Sequence, residues 1–195
     1  MRITCLFVLV ISYFQILAQE FVIDRNGLIK ASASISPSFM LGNDYRNIYL
    51  SGFAEYYSND KISIRGDSFW FIDGQEDFAF FEQAIRTNFG MFLHHGKKNF
   101  EVNLGIQPGL SVLRKNPYEQ GINTFAPLYE KTRFVPSIAL TAGCNLYVWK
   151  YFNFYASVTY IQSQFISTYN GQMNADELII STGLGFQIRT RRKDK

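Results

Sequence analysis

The sequence predicts an all-β chain: an eight-stranded antiparallel up-and-down transmembrane β-barrel. Three observations carry this. First, residues 100–112 alternate strictly, with Phe100, Val102, Leu104, Ile106, Pro108, Leu110 and Val112 on one face. Glu101, Asn103, Gly105, Gln107, Gly109 and Ser111 take the other, because successive strand side chains point to opposite faces. Second, seven further segments read the same way, and none puts a charge on its apolar face. Third, the charges collect in turns, loops and the C-terminal tail, or share the polar face with Gly, Ser and Asn. A soluble sheet does the reverse, so the pattern is that of a barrel with lipid outside and polar groups inside.

The chain begins with Met1 and Arg2, then Cys5 to Ile11 and a mostly apolar stretch to Ala18, before Gln19-Glu20. One positive charge, a short apolar run and a small residue describe a secretory signal peptide over residues 1–18. The run is too short to read as a membrane-spanning helix. Residues 19–188 then form the barrel, and 189–195 (Arg-Thr-Arg-Arg-Lys-Asp-Lys) a basic tail. The formal charge of +3 loses Arg2 with the signal and is too close to neutral to argue for nucleic acid. Cys144 is the cysteine left after cleavage, so the mature chain offers neither an intrachain disulfide nor a Cys/His metal site.

The first strand spans about 28–41, with Ile29, Ala31, Ala33, Ile35, Pro37, Phe39 and Leu41 opposite Lys30, Ser32, Ser34, Ser36 and Ser38. The second, 47–57, sets Ile48, Leu50 and Ala54 against Tyr49, Ser51, Phe53 and Glu55. Ser58 to Lys61 is a turn of favoured turn residues. The third, 61–72, points Ile62, Ile64, Trp70 and Ile72 outward and Ser63, Arg65 and Asp67 inward. The fourth, 78–93, turns Ile85, Phe89, Met91 and Leu93 outward, opposite Glu82, Arg86 and Asn88; its start, Phe78 to Phe81, is apolar on both faces. His94 to Lys98 reads as a turn, and the fifth strand is the segment above. The sixth, 134–149, sets Ile138, Leu140, Ala142, Cys144, Leu146 and Val148 against Ser137, Thr141, Gly143 and Asn145. The seventh, 151–164, carries Phe152, Phe154, Ala156, Val158 and Tyr160 outward. The eighth, 177–188, carries Leu178, Ile180, Leu184, Phe186 and Ile188.

The two long connections, Arg114–Arg133 and Ser167–Asp176, both follow odd-numbered strands. That agrees with short turns on the periplasmic side and longer loops outside. Pro37, Pro108 and Pro136 interrupt strands 1, 5 and 6. A closed barrel has no edge to hide a missing N–H, so the prolines are expected near the outer rim.

With signal peptide, strand count, loop sorting and a last strand reading Leu178-Ile-Ile-Ser-Thr-Gly-Leu-Gly-Phe-Gln-Ile188, the chain resembles the small eight-stranded outer-membrane barrels of Gram-negative bacteria, the OmpA/OmpX type. The resemblance covers 28–188. It implies a place in the outer membrane, contact with outer-membrane lipid, and recognition of the last strand by the barrel-assembly machinery, with Phe186 as the near-terminal aromatic. The basic tail after Phe186 departs from the family, which usually stops at that aromatic.

Lys30, Glu55, Arg65, Asp67, Glu82, Arg86 and Glu101 are the inward charges. They are expected to form a mixed-sign lumen network rather than an acid–base site, since buried charges must pair to be tolerated. The small residues Gly105, Gly109, Gly143, Gly183 and Gly185 share their face and leave room for long side chains. Folding the third and fourth strands about Gln75 would bring Asp67 near Glu82 and Arg86. His94 and His95 could serve a lipid-modifying enzyme, but solvated turn residues are the expected reading. There is no phosphate loop, nucleophile elbow, metal spacing or cofactor motif. The functional expectation is a structural or surface-interaction barrel with a filled lumen, not a pore and not an enzyme. An unknown outside partner would meet the loops at 73–77, 114–133 and 167–176. The rivals are a lipid-modifying barrel enzyme and a soluble exported barrel that binds a small apolar ligand.

Overall fold

The computed structural model describes residues 25–42, 45–74, 80–116, 131–167 and 171–190. The expected signal peptide, most of the basic tail and most of the 73–77 and 114–133 connections lie outside them. The strands are β1 (Leu28–Met40), β2 (Arg46–Tyr57), β3 (Ile62–Gly74), β4 (Phe81–Lys97), β5 (Phe100–Lys115), β6 (Arg133–Tyr147), β7 (Phe152–Ser167), β8 (Gly171–Asn174) and β9 (Glu177–Arg189). From β1 to β8 each strand pairs antiparallel with the next, and β1 pairs with β9. The ring closes through β6–β7 and β7–β9. β8 continues the β9 register along β7, from Ile161↔Glu177 to Ser167↔Gly171. β8 and β9 are therefore one barrel strand interrupted at Ala175-Asp176, and the barrel has eight strands. The expected polar loop over 167–176 is thus largely hairpin.

Alternation decides which way each side chain points. Ile35, Trp70, Phe89, Leu93, Leu104 and Phe134 are between 60% and 73% exposed on the outer surface. Lys30, Ser36, Ser38, Glu101, Gln107, Ser111, Thr141 and Asn153 are fully buried inside. The apolar faces read from the sequence are the outer ones.

The turn expected at His94 to Lys98 shifts. β4 runs on past His94, since Lys97 pairs with Phe100. The connection shrinks to Lys98-Asn99, with Lys98 at φ 56°. His94 is therefore a strand residue with its ring inside, and His95 points outward.

The three strand prolines each face an interrupted ladder. In an antiparallel pair, a residue's N–H and C=O point to one neighbour and those of the next residue to the other. Leu41 donates to Asp176, Asn116 donates to Phe80, and Tyr147 donates to Asn99. The alternation so set turns Pro37 toward β9, Pro108 toward β4 and Pro136 toward β7. None has an N–H to give. The β1–β9 pairing lapses between Ser32↔Gly185 and Ser38↔Ile179. The β4–β5 pairing lapses between Asn88↔Gly109 and Met91↔Ile106. The β6–β7 pairing ends at Ser137↔Ser163. Pro37 and Pro136 lie toward the loop end, as expected, but Pro108 sits mid-strand. There Gly90 lets β5 approach: a Cβ on Gly90 would meet the Ile106 carbonyl oxygen at 2.1 Å.

Candidate functional site

The candidate site is the interior, where buried charges lie at three levels. At the end that carries the termini, β1 directs Lys30 inward directly across from Glu55 on β2. Lys30 Nζ lies 2.9 Å from Glu55 Oε2 and 3.7 Å from Glu101 Oε1. It donates to the Tyr57 hydroxyl at 2.6 Å, and Tyr57 donates to Glu101 at 2.7 Å. Asn145 and Tyr147, from β6, also donate to Glu101, at 2.8 Å and 3.2 Å. Arg25, ahead of β1, brings Nε to 2.6 Å from Glu101 Oε2. His94 bridges the two acids: Nδ1 is 3.0 Å from Glu101 and Nε2 is 3.2 Å from Glu55. Two carboxylates thus share a lysine, an arginine and a histidine, with hydroxyls and an amide on the remaining lone pairs. This is the condition under which buried charge is tolerated.

At mid-height, Arg65 and Asp67 are two residues apart on one strand and so share a face. Arg65 Nη2 lies 2.6 Å from Asp67, and Nε adds bonds of 3.0 Å to both carboxylate oxygens. Gln107 donates to Asp67 at 2.5 Å, and Thr141 donates to Gln107 at 3.2 Å. The guanidinium sits 3.8 Å from the Phe53 ring centroid, a cation–π contact that desolvation strengthens. Opposite, Ser34, Ser36, Ser51 and Ser181 form a hydroxyl chain with steps of 2.6 Å to 3.0 Å.

Toward the loop end, Arg86 Nη2 lies 2.7 Å from Glu177 Oε2, and both side chains are fully out of solvent. Glu177 also accepts from Ser38, Asn47 and Tyr49 at 2.9, 2.5 and 2.7 Å. Arg86 donates to Ser163 and to the Ala175 carbonyl, each at 2.9 Å. Around this pair lies an apolar cluster that includes Met40, Phe69, Phe80, Phe81, Leu113 and Phe165. It accounts for the doubly apolar start of the fourth strand, since Phe80 and Phe81 both turn inward.

Of the seven charges expected inside, six are there. Lys30, Glu55 and Glu101 meet in one cluster, Arg65 and Asp67 in a second, and Arg86 in a third. Glu82 is outside. A bulge carries the β4–β5 register from Phe81↔Lys115 to Gln83↔Arg114 and skips Glu82. The extra residue breaks the alternation, and Glu82 pairs on the surface with Arg114 at 3.0 Å. The expected meeting of Asp67 with Arg86 fails on register. Asp67 lies across from Asn88, and Arg86 across from Phe69, because the hairpin folds further along the chain than Gln75. The glycine expectation holds where it is clearest: a Cβ on Gly105 would lie 2.5 Å from the Phe92 ring.

Sequence reading missed Arg25, His94 and Glu177. Parity alone would have found two. His94 is even, like Arg86 and Asn88 on its strand, and Glu177 shares odd parity with the inward Ser181. The Ser63 hydroxyl is 2.7 Å from His94 Nε2 and Glu101 is 3.0 Å from His94 Nδ1, the order of a nucleophile, base and orienting acid. Yet Ser63 donates to Glu55 at 2.5 Å and is fully buried. As it stands, the arrangement holds charge and presents no nucleophile. Among the described residues no group of three or more His, Cys, Asp and Glu is arranged to hold a metal ion. Phe186 is on the outer face, 48% exposed, stacked on Tyr151 at 6.3 Å and edge-on to Phe152 at 5.9 Å.

Solved structures with the same strand plan are at hand. OprG from Pseudomonas aeruginosa superposes with a TM-score of 0.65 at 10% identity, over 86% of this chain and 98% of that one. Neisserial surface protein A (NspA) gives 0.57 at 10% identity, over 83% and 96%. The N-terminal barrel domain of Pseudomonas aeruginosa OprF gives 0.55 at 12% identity, over 84% and 98%. This chain has the fold of the small eight-stranded outer-membrane barrels. No protein-family model and no curated protein matches the sequence. At such identities the likeness is one of backbone architecture, which constrains the site's scaffold and leaves its chemistry to the residues described above.

Proposed function

We propose that the protein is an integral outer-membrane barrel, exported through a cleaved signal peptide, with a structural or surface-interaction role and a plugged interior that does not conduct. The observation that carries this reading is the inversion of the two surfaces. Large apolar side chains such as Trp70, Leu104 and Phe134 are 60%, 61% and 73% exposed outside. Charges such as Lys30, Arg86, Glu101 and Glu177 are fully buried inside. In water such an outer surface far exceeds the apolar patch a soluble monomer carries, whereas in lipid it is the required one. That disfavours a soluble barrel with an inward apolar pocket. The solved neighbours named as outer-membrane or surface proteins support the same reading.

The plug rests on the three ion-pair levels and on the apolar cluster at the loop end, in a barrel whose eight strands leave room for little but side chains. The partners on this reading are outer-membrane lipid around the wall and the assembly machinery, reading β9 through Phe186. An outside partner of unknown identity would meet the loop end around 73–77, 114–133 and 167–176. The buried, hydrogen-bonded state of Ser63 and His94 argues against the lipid-modifying alternative.

The test is fractionation with gel mobility before and after boiling, followed by planar-bilayer recording of the purified barrel. The expected result is outer-membrane recovery, a mobility shift on heating and no steady conductance above the lipid baseline. Recovery in the soluble periplasmic fraction would remove the membrane reading. A steady, reproducible channel would remove the plug while leaving the membrane reading intact.

A further inference from the structure

We infer that the rim at the end carrying the termini is a collar for anionic phospholipid, its exposed lysines placed to hold the phosphodiester head groups of the surrounding leaflet. The inference rests on the membrane reading above, because the rim is where the lipid-facing wall ends. Three hairpin connections close this end, and each brings lysine: Lys61 between β2 and β3, Lys97 and Lys98 where β4 turns into β5, and Lys150 between β6 and β7. All four are exposed. Backbone bonds fix them at the hairpin ends. The Lys61 carbonyl accepts from the His94 N–H at 2.8 Å, and Val148 and Trp149 both donate to the Phe152 carbonyl at 3.2 Å. Lys97 pairs with Phe100. The acid in these three connections is Asp60, and its Oδ1 accepts the Arg25 backbone N–H at 2.7 Å. Among the described residues none of the four lysines is in an ion pair.

Each lysine stands next to an exposed side chain of the outer wall. Ile62 follows Lys61, Phe100 lies two residues after Lys98, and Trp149 and Tyr151 flank Lys150. The third connection is the most built up. Lys150 Nζ lies 5.2 Å from the Tyr151 ring centroid, and Trp149 lies 6.4 Å from Phe152. Tyr151 in turn stacks on Phe186 at 6.3 Å. Trp and Tyr take the head-group level of a bilayer, which sets the lysines at the depth of lipid phosphates. A lysine there rests its stem on apolar surface and keeps its ammonium in the polar layer. The ammonium is a compact charge with three donors, and it bonds a phosphate oxygen with charge assistance. The three connections follow one another around the ring, so the charge is spread along the circumference. A protein partner docks on one patch, whereas a leaflet meets the whole rim at once. That spread selects lipid. A free phosphate would need several donors converging on one point, and these lysines sit on separate hairpins.

The experiment uses the full chain in phosphatidylcholine vesicles with a varied fraction of phosphatidylglycerol, and reads the chain's two tryptophans, Trp70 and Trp149, one at a time. In a Trp70→Phe background Trp149 reports the collar. In a Trp149→Phe background Trp70, toward the loop end of β3, reports the far wall. Quenching by brominated phosphatidylglycerol, set against quenching by brominated phosphatidylcholine, gives the relative affinity of the lipid beside each. The expected result is about a fivefold preference for phosphatidylglycerol at Trp149, roughly what one lysine contributes at an anionic surface, and none at Trp70. The preference should fall toward unity in about 1 M sodium chloride, where surface charge is screened. Lys→Gln at positions 61, 97, 98 and 150 together should abolish it, and Lys→Arg at the same four should keep it. Equal preference at both tryptophans would mean general attraction to a basic chain and would overturn the collar. A preference that survives the four Lys→Gln changes would belong to the tail at 189–195 and would overturn it too. Should that variant lack heat-dependent mobility, Lys150→Gln, which removes the charge beside Trp149, decides: an unchanged preference overturns the proposal. Failure of the membrane reading is separately visible, since the protein would then not float with the vesicles and neither lipid would quench either tryptophan.

Discussion

At the scale of single residues, the interior is governed by who neutralises whom. Arg86 and Glu177 lie 2.7 Å apart, wholly removed from solvent, so deleting either one strands the other. Loss of one partner of such a pair costs about 3–5 kcal/mol. The expected outcome is therefore a strong loss of stability in Arg86→Gln and in Glu177→Gln, with the double variant costing much less than the sum of the two. Reversible urea unfolding in lipid vesicles measures it. Asp67→Asn paired with Arg86→Gln should instead be additive, because Asp67 bonds to Arg65 and Gln107 while Arg86 bonds to Ser111, Ser163, Ala175 and Glu177. Residues with no shared partner couple weakly. Coupling of Asp67 to Arg86 as large as that of Glu177 would mean the levels are one network.

At the scale of the strand, the outer face sets tolerance by depth. Leu104 is near the middle of the barrel wall and 61% exposed, whereas Phe100 starts β5 at the turn end and is 49% exposed. Arginine facing the bilayer centre costs roughly 2–4 kcal/mol and near the interface about 0–1 kcal/mol. Leu104→Arg should thus impair folding into vesicles markedly and Phe100→Arg little, read from the heat-shifted gel fraction. Equal effects would mean that the outer surface does not face lipid. The same strands show how alternation can be broken locally. One bulged residue turns Glu82 outward although Arg86 and Asn88, on the same parity, stay inside. One proline ends a ladder that the rest of β6 would have continued.

At the scale of the whole molecule, the even strand number puts both ends of the barrel chain on one side, with the connections at 58–61, 98–99 and 148–151. The longer connection between β5 and β6 is on the other. In a Cys144→Ala background, a cysteine at Asn123 should react with a membrane-impermeant maleimide on intact cells. One at Ser58 should react only after the envelope is opened. Labelling at Ser58 and not at Asn123 would invert the orientation. The closed ring also explains why the polar network is inside at all. With the ring closed and large apolar side chains over its exterior, the charges on the strands meet inside, apart from the Glu82–Arg114 pair on the surface.

How much of this was legible in the chain itself follows from what is local. Period-two alternation is local, so the all-β class, the strand count, the outward set from Ile29 to Ile188 and the inward Lys30, Glu55, Arg65, Asp67, Arg86 and Glu101 could all be read directly. Parity also held the position of His94, hidden because a His-His-Gly-Lys-Lys run resembles a turn until its pairing with β5 is known. Register, by contrast, depends on where each hairpin folds and on which residues bulge, and these are settled by contacts between strands. Hence Arg86 finds Glu177, 91 positions along the chain, and not Asp67. Hence, too, Arg25 reaches Glu101 from outside the strands. Alternation decides on which side of the wall a side chain lies; the shift of one strand against the next decides what it touches, and that shift is a property of the closed barrel.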